Sequence, residues 1–322
     1  MNRYFLLTLI IINLSVIYSC GSKQSAPSAE SSEHNSEQNI DQTINNPAPE
    51  PSRAERVMRA LHEAYPDQII SIEFKNDDWA ILLRNALSEE TWYYFAEGRI
   101  LPEDKRENAA NYRPVQFYNY PEELPEWRAS TDEETTRYQS WQNSRRQNTA
   151  SRSSYFLDDL FQAHDRIKSN NEQREIRFLG KLTKVHNLIE EKMKQVEEQI
   201  LLTAETDNEV KTWVSSIGSL EGWGWRNIAN TQSRSFHSYG LAVDLLPRNL
   251  RGKQTYWLWT SQYRDDWWNV SYNERYHPPL PVIKIFEAHG FIWGGKWPMF
   301  DTMHFEYRPE VLILNGLYKN QN

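Results

Sequence analysis

The chain has a single cysteine, Cys20, in 322 residues. No intrachain disulfide can form, and zinc fingers or iron–sulfur sites built on cysteine are excluded. Any metal must be held by histidine and carboxylate ligands. Positive charge is also scarce. The 36 Lys and Arg stand against 44 Asp and Glu, a formal net charge of −8. No basic stripe stands out, so nucleic acid is not an expected partner. Long apolar runs are missing too. The one stretch of that kind, Phe5 to Tyr18, falls short of the about 20 residues that a membrane-crossing helix needs. Aromatic rings, by contrast, are plentiful. Thirteen Trp and seventeen Tyr can build a core or line a groove for a polar, partly apolar ligand. A disordered chain does not carry them.

The apolar run follows the basic start Asn2-Arg3 and ends at Val16-Ile-Tyr-Ser-Cys20. Its length suits a signal-peptide core. A small residue directly before a cysteine resembles the lipobox of bacterial lipoproteins. That resemblance implies a signal peptide over residues 1–19 and lipidation of Cys20, with several acyl chains anchoring the protein to a membrane. Ordinary secretion with an incidental cysteine is the alternative. Residues 20–52 are Ser, Gln, Asn, Glu and Pro with few apolar side chains, the composition of a flexible tether. Such a tether spans roughly 30 Å as a coil.

Residues 53–147 read as an N-terminal α+β and irregular region. Val57, Met58, Leu61 and Ala64 are at helical spacing between Ala54 and Tyr65, and Pro66 stops the helix. Ile69 to Phe74 and Trp79 to Leu83 read as strands turning at Asn76-Asp-Asp78, with Thr91 to Phe95 as a third. Glu103 to Gln147 is polar, with scattered Pro and Tyr, and is expected to be an irregular segment that wraps a neighbour. Residues 148–206 read as helical. Phe156, Leu160, His164 and Ile167 share a face between Ser153 and Ser169, His164 serving as a core or cap histidine. Glu172 to Thr203 is expected to be the longest helix, because Leu182, Val185, Ile189, Met193, Val196 and Ile200 recur at three and four residues.

Residues 207–322 carry the chemistry. Lys211 to Gly218 reads as a strand, and Gly222-Trp-Gly-Trp-Arg226 turns into Ser235-Phe-His-Ser-Tyr-Gly-Leu-Ala-Val-Asp244. Leu241 to Leu245 alternates, so Ala242 and Asp244 share one side of a strand and Val243 the other. Gly240 suits a tight bend before it. A Trp-rich insert, Tyr256 to Trp268, precedes a helix from Pro281 to His289 that Gly290 ends. The short strand Phe291 to Trp293 and the loop Gly294-Gly295-Lys-Trp297 lead to Asp301-Thr-Met-His-Phe-Glu306, where His304 and Glu306 share a strand face. Two imidazoles and one carboxylate, His237, Asp244 and His304, can converge on one divalent metal. They are one ligand short of a closed tetrahedron, which is the pattern of catalytic zinc. Asp301 is left as a base for water. Glu306 can orient a ligand imidazole, or pair at the strand end.

Ser235-x-His237-x-x-Gly240-x-Ala242-x-Asp244, then Gly294-Gly295-x-Trp297 and Asp301-x-x-His304-Phe305-Glu306, closely resembles the zinc D-alanyl-D-alanine carboxypeptidase family. Within it the chain looks like the VanY-type and L-alanyl-D-glutamate endopeptidase branch, over about residues 211–310. The resemblance implies an α+β, hedgehog/DD-peptidase-like fold: a small antiparallel sheet with packed helices, carrying Zn2+ on His237, Asp244 and His304. It implies hydrolysis of peptidoglycan peptides at the bacterial cell envelope, with Asp301 as general base. Asp rather than Glu at 301 resembles the endopeptidase branch. Ser235 and Trp297 are expected at the substrate. An arginine near the scissile carbonyl is expected to be Arg226, with Arg234 as the alternative. Two other readings stand beside it. One is a non-catalytic zinc module that binds wall peptide or a protein, which has no need of a base at Asp301. The other is a glycan-binding surface lipoprotein, which leaves the linked motifs unexplained.

Overall fold

The computed structural model describes residues 50–147 and 150–319. The signal segment, Cys20 and nearly all of the tether lie outside the described residues. Helix α1 (Arg53–Ala64) starts where the Ser52 hydroxyl accepts the Glu55 amide, and it buries Val57, Met58, Leu61 and Ala64. A four-stranded antiparallel meander follows: β1 (Ile69–Lys75), β2 (Asp78–Arg84), β3 (Glu90–Tyr94) and β4 (Leu101–Pro102). Its first turn is tight because Asn76 and Asp77 both take positive φ, 50° and 62°.

The stretch after the meander does wrap a neighbour, but it is not wholly irregular. A 3-10 turn covers Glu103–Asn111, and α2 (Asp132–Gln147) is a full helix. Tyr138 and Trp141 of α2 pack on Trp257, Trp267 and Trp268 of the Trp-rich insert. These three insert rings are buried in a small second core. The expected helix over 153–169 is two short ones, α3 (Tyr155–Leu160) and α4 (Arg166–Asn171), the second started by the Asp165 carboxylate.

The long helix expected from Glu172 is corrected. Its first part is a hairpin, β5 (Gln173–Phe178) and β6 (Lys181–His186), turning at Leu179 and Gly180, which both have positive φ. Leu182 faces solvent, so its helical spacing to Val185 was coincidental. The helix proper is α5 (Asn187–Thr206), with Ile189, Met193, Val196 and Ile200 buried. Burying each such side chain stabilises the fold by about 1.5–3 kcal/mol. The strand expected over Lys211–Gly218 is also corrected. Asp207 caps a helix there, α6 (Asn208–Ser216), which buries Val210 and Trp213 three residues apart.

The strand begins one turn later. β7 (Ile217–Glu221) opens a second antiparallel sheet of order β7-β8-β10-β9, with β8 (Ala242–Pro247), β9 (Phe291–Trp293) and β10 (His304–Tyr307). Between them come α7 (Trp257–Thr260) and α8 (Leu280–Ala288), and α9 (Pro309–Leu314) follows β10. Phe286 of α8 stacks on Phe305 at 3.9 Å, fixing the apolar face of the sheet. One continuous core runs from Val57 on α1 to Tyr307 on β10, and α1 packs directly on α9. Glu50–Asn322 form one compact unit. No helix among the described residues is long and apolar enough to cross a membrane.

Candidate metal centre

The register of β10 on β8 sets His304 directly opposite Asp244, and Glu306 opposite Ala242. All four share the sheet face away from Phe305 and Val243, since side chains alternate along a strand. Ala242 has only a methyl group, which leaves room for the Glu306 carboxylate. His237 arrives from the 3-10 turn Phe236–Tyr239, which Ser235 caps by accepting the His237 amide at 3.4 Å. Gly240 ends that turn with φ +73°, and a Cβ there would meet Gln173 Oε1 at 1.9 Å and His186 N at 2.8 Å. Only glycine lets the turn close against the β5–β6 hairpin and send the chain into β8.

Each imidazole has one nitrogen fixed from outside. His237 Nδ1 lies 2.7 Å from the Gly222 carbonyl, and His304 Nε2 lies 3.1 Å from Glu306 Oε2. Both partners are acceptors, so both of these nitrogens carry protons. The remaining lone pairs, on His237 Nε2 and His304 Nδ1, face each other at 3.3 Å. Asp244 adds Oδ1 at 2.8 Å from His304 Nδ1 and Oδ2 at 3.3 Å from His237 Nε2. All three residues are buried, and their ligand atoms lie within 4.8 Å of one another.

This donor set fits a dication. Two lone pairs and a carboxylate aimed at one point repel unless positive charge sits among them. In the metal-free protein only a proton can do so. Burial disfavours charged His304, yet its hydrogen bonds to Asp244 and Glu306 prevail and hold its pKa well above the ordinary value. Burial likewise disfavours the Asp244 carboxylate, but His237 and His304 keep its pKa well below the ordinary value.

Asp301 stands beside this group on a loop tied down by its amide to Gly294 O at 3.0 Å and by its carbonyl to the His304 amide at 3.2 Å. A bridge to Tyr256 joins it to the Trp-rich insert. Its Oδ1 is buried with no hydrogen-bond partner. Burial pushes the carboxyl up to about 7; His304 opposes the rise and Asp244 adds to it. Asp301 thus brings an unpaired, buried carboxylate oxygen close to His304 and Asp244.

The two candidate arginines separate. The Arg226 guanidinium, 48% exposed, reaches within 3.8 Å of Asp244 Oδ2. The Ser238 hydroxyl holds its backbone on both sides, accepting its amide at 2.8 Å and donating to its carbonyl at 2.6 Å. Arg234 turns away into a part-buried ion pair with Asp158 and lies over the Trp225 ring at 4.5 Å. A cavity of about 310 Å³ beside Arg226 is lined by Trp225, Asn227 and Ser238 as well as both arginines. The half-buried Trp297 brings its ring to 5.5 Å from the His304 ring and donates its indole N–H to Tyr118. Ser235 is buried as a cap. His164 pairs with Asp159 at 3.4 Å and is no part of the metal cluster. The sequence reading missed the Gly222 carbonyl and, behind Glu306, Arg308 and Glu310. The alternation Glu306-x-Arg308-x-Glu310 was the available signal.

Two family models match the chain. Residues 229–307 match the family described as D-alanyl-D-alanine carboxypeptidase, and residues 57–117 match one described as a domain of unknown function. Among curated proteins, the peptidoglycan L-alanyl-D-glutamate endopeptidase CwlK of Bacillus subtilis is 33% identical over 82 residues. The aligned part covers 23% of this chain and 40% of that relative. No solved structure matches the chain significantly. The match to the D-alanyl-D-alanine carboxypeptidase family, over residues 229–307, includes His237, Asp244, Asp301 and His304.

Proposed function

We propose that this protein is a zinc peptidase that hydrolyses the stem peptides of peptidoglycan. The observation that carries the reading is the convergence of the His237 and His304 lone pairs and the Asp244 carboxylate beside the unpartnered Asp301 oxygen. His237, Asp244 and His304 would hold the zinc. When bound, zinc supplies Lewis acidity toward water and toward the amide carbonyl. The chain does the rest. Asp301 takes a proton from the attacking water and returns it to the leaving amine, so one water and one amide become a carboxyl and an amine. Arg226 brings positive charge to the side where the carbonyl oxygen gains negative charge. The Gly222 carbonyl and Glu306 fix the outer nitrogen of each imidazole, leaving the inner ones free to hold zinc. Ser235 holds the turn that carries His237, and Trp297 walls the site against His304, where substrate would lie.

Asp at 301 and the name of the Bacillus relative both favour the bond between L-Ala and D-Glu. Removal of a terminal D-Ala is the competing specificity. A lipid on Cys20 and the tether after it would hold the enzyme at the envelope, within reach of the wall. The first test is metal content and turnover together. Purified protein should carry one zinc per chain, and chelation should abolish cleavage of synthetic stem peptides until zinc is restored. One zinc per chain with no cleavage of any stem peptide would favour the non-catalytic binding module.

A further inference from the structure

The steps above leave unexplained a buried polar chain that runs back from His304. Glu306 accepts from His304 Nε2 through Oε2, and its Oε1 accepts from Arg308 Nη1 at 3.1 Å. Arg308 Nε donates to Glu310, whose Oε2 accepts the Tyr65 hydroxyl at 3.0 Å. Arg308 Nη2 donates to the Gln116 carbonyl at 2.8 Å. Arg308 is 2% exposed, and Tyr65, Glu306 and Glu310 are all buried with it. Removing a guanidinium and two carboxylates from water carries a large desolvation cost for each ion. Apolar side chains of similar volume fill such a space at least as well, so stability alone does not account for the arrangement.

Two of its contacts come from the N-terminal part of the chain. Tyr65 follows α1, and Gln116 begins a strap, Gln116–Glu122, behind the zinc motifs. The Tyr118 hydroxyl of the strap accepts from Trp297. The Tyr120 hydroxyl accepts the Trp293 amide at 2.9 Å and donates to Glu287 at 2.6 Å. The carbonyls of Pro121 and Glu122 accept from Lys296 at 3.0 and 2.7 Å. The strap thus holds Trp293 at the end of β9, Lys296 and Trp297 on the loop that leads to Asp301, and Arg308 beyond β10.

Resting on the zinc reading above, we infer that Arg308, Glu310 and Tyr65, with the strap, are positioning residues of the metal centre. They hold Glu306, and through it the imidazole of His304. The stretch from Tyr65 to Glu122 then completes the centre from behind instead of forming a separate binding module.

The test compares zinc affinity in the full chain, by competition with a chromophoric chelator, and the visible spectrum after cobalt(II) loading. Arg308→Met should weaken zinc binding by about 10–100-fold, the usual cost of losing support behind a ligand. Arg308→Lys should recover part of that loss. Tyr65→Phe, which removes one hydroxyl, should weaken binding severalfold and shift the cobalt bands, with kcat lowered and KM unchanged. If Arg308→Met does not fold, Tyr65→Phe and Glu310→Gln decide alone. Folded variants with the zinc affinity and cobalt spectrum of the parent overturn the proposal, even where they melt earlier. A parent that binds no zinc overturns it together with the zinc reading. A parent that binds zinc and cleaves peptide, with unaltered variants, overturns this proposal only.

Discussion

Replacing Asp301 by Asn should separate catalysis from stability in opposite directions. The Asp301 carboxyl is shifted from the ordinary 3.8 to about 7 by burial. A group that keeps its proton in the folded state, after the unfolded chain has released it, loses stability as pH rises. The loss is absent below about pH 4, grows between about pH 4 and 7, and is complete above that. At about 1.4 kcal/mol per pH unit it totals about 4 kcal/mol, of which about 3 kcal/mol develops between pH 4.5 and pH 8. Asparagine has the same shape and no charge, so Asp301→Asn escapes this loss. Its amide remains a buried polar group, at a cost of about 1–3 kcal/mol that does not vary with pH. The quantity to read is therefore how the stability difference between variant and parent changes with pH. Urea unfolding of the metal-free proteins should show the variant gaining about 3 kcal/mol on the parent between pH 4.5 and pH 8. Zinc should narrow the gap at pH 8, because its charge favours the carboxylate. The same variant loaded with zinc should hydrolyse peptide about 100- to 10,000-fold more slowly, the usual loss on removing a general base. A stability difference that is flat with pH would refute the burial argument. Hydrolysis above a tenth of the parent's rate would refute Asp301 as the base.

Four further substitutions probe the frame around it. Arg226→Ala should lower kcat/KM at least tenfold while changing unfolding free energy by less than about 0.5 kcal/mol, because its side chain is half exposed at the site. Arg234→Ala should do the reverse, costing about 3–5 kcal/mol by stranding Asp158, with kcat/KM of the folded protein near the parent's. Gly240→Ala should destabilise by at least about 2 kcal/mol, the left-handed φ and the clash with Gln173 and His186 acting together, as read by denaturation. Lys296→Met should cost about 3–5 kcal/mol in the same assay, since it leaves the Glu287 carboxylate buried with Tyr120 alone.

The grouping of His237, Asp244 and His304 was legible in the chain because the pattern around each residue is local. The alternation around Asp244 and around His304 places each on a strand, and pairing β8 with β10 sets the two opposite each other. Periodicity failed where two patterns overlap. Between Gln173 and His186 the spacing of Leu182 and Val185 mimics a helix, and Gly180 was the stronger signal because it permits the hairpin turn. In α6 the cap at Asp207 and the pair Val210 and Trp213 outweigh the apparent strand. Helix α2 has no apolar stripe to read, since it rests on Tyr138 and Trp141 against rings more than a hundred residues away. Sequence offers no route to the contact between Tyr65 and Glu310, which are 245 residues apart. That Arg226 lies near Asp244 while Arg234 pairs with Asp158 likewise needed the fold to be seen.

The central claim is tested most directly by digesting purified peptidoglycan with the full chain and reading the products by mass spectrometry. The digestion is run with zinc, after chelation, and after zinc is restored, beside His304→Ala and Asp301→Asn. The account predicts zinc-dependent cleavage between L-Ala and D-Glu, absent from His304→Ala and nearly absent from Asp301→Asn. Zinc-dependent release of terminal D-Ala would keep the peptidase and change its specificity. Intact stem peptides after incubation with folded protein carrying one zinc per chain would contradict the account.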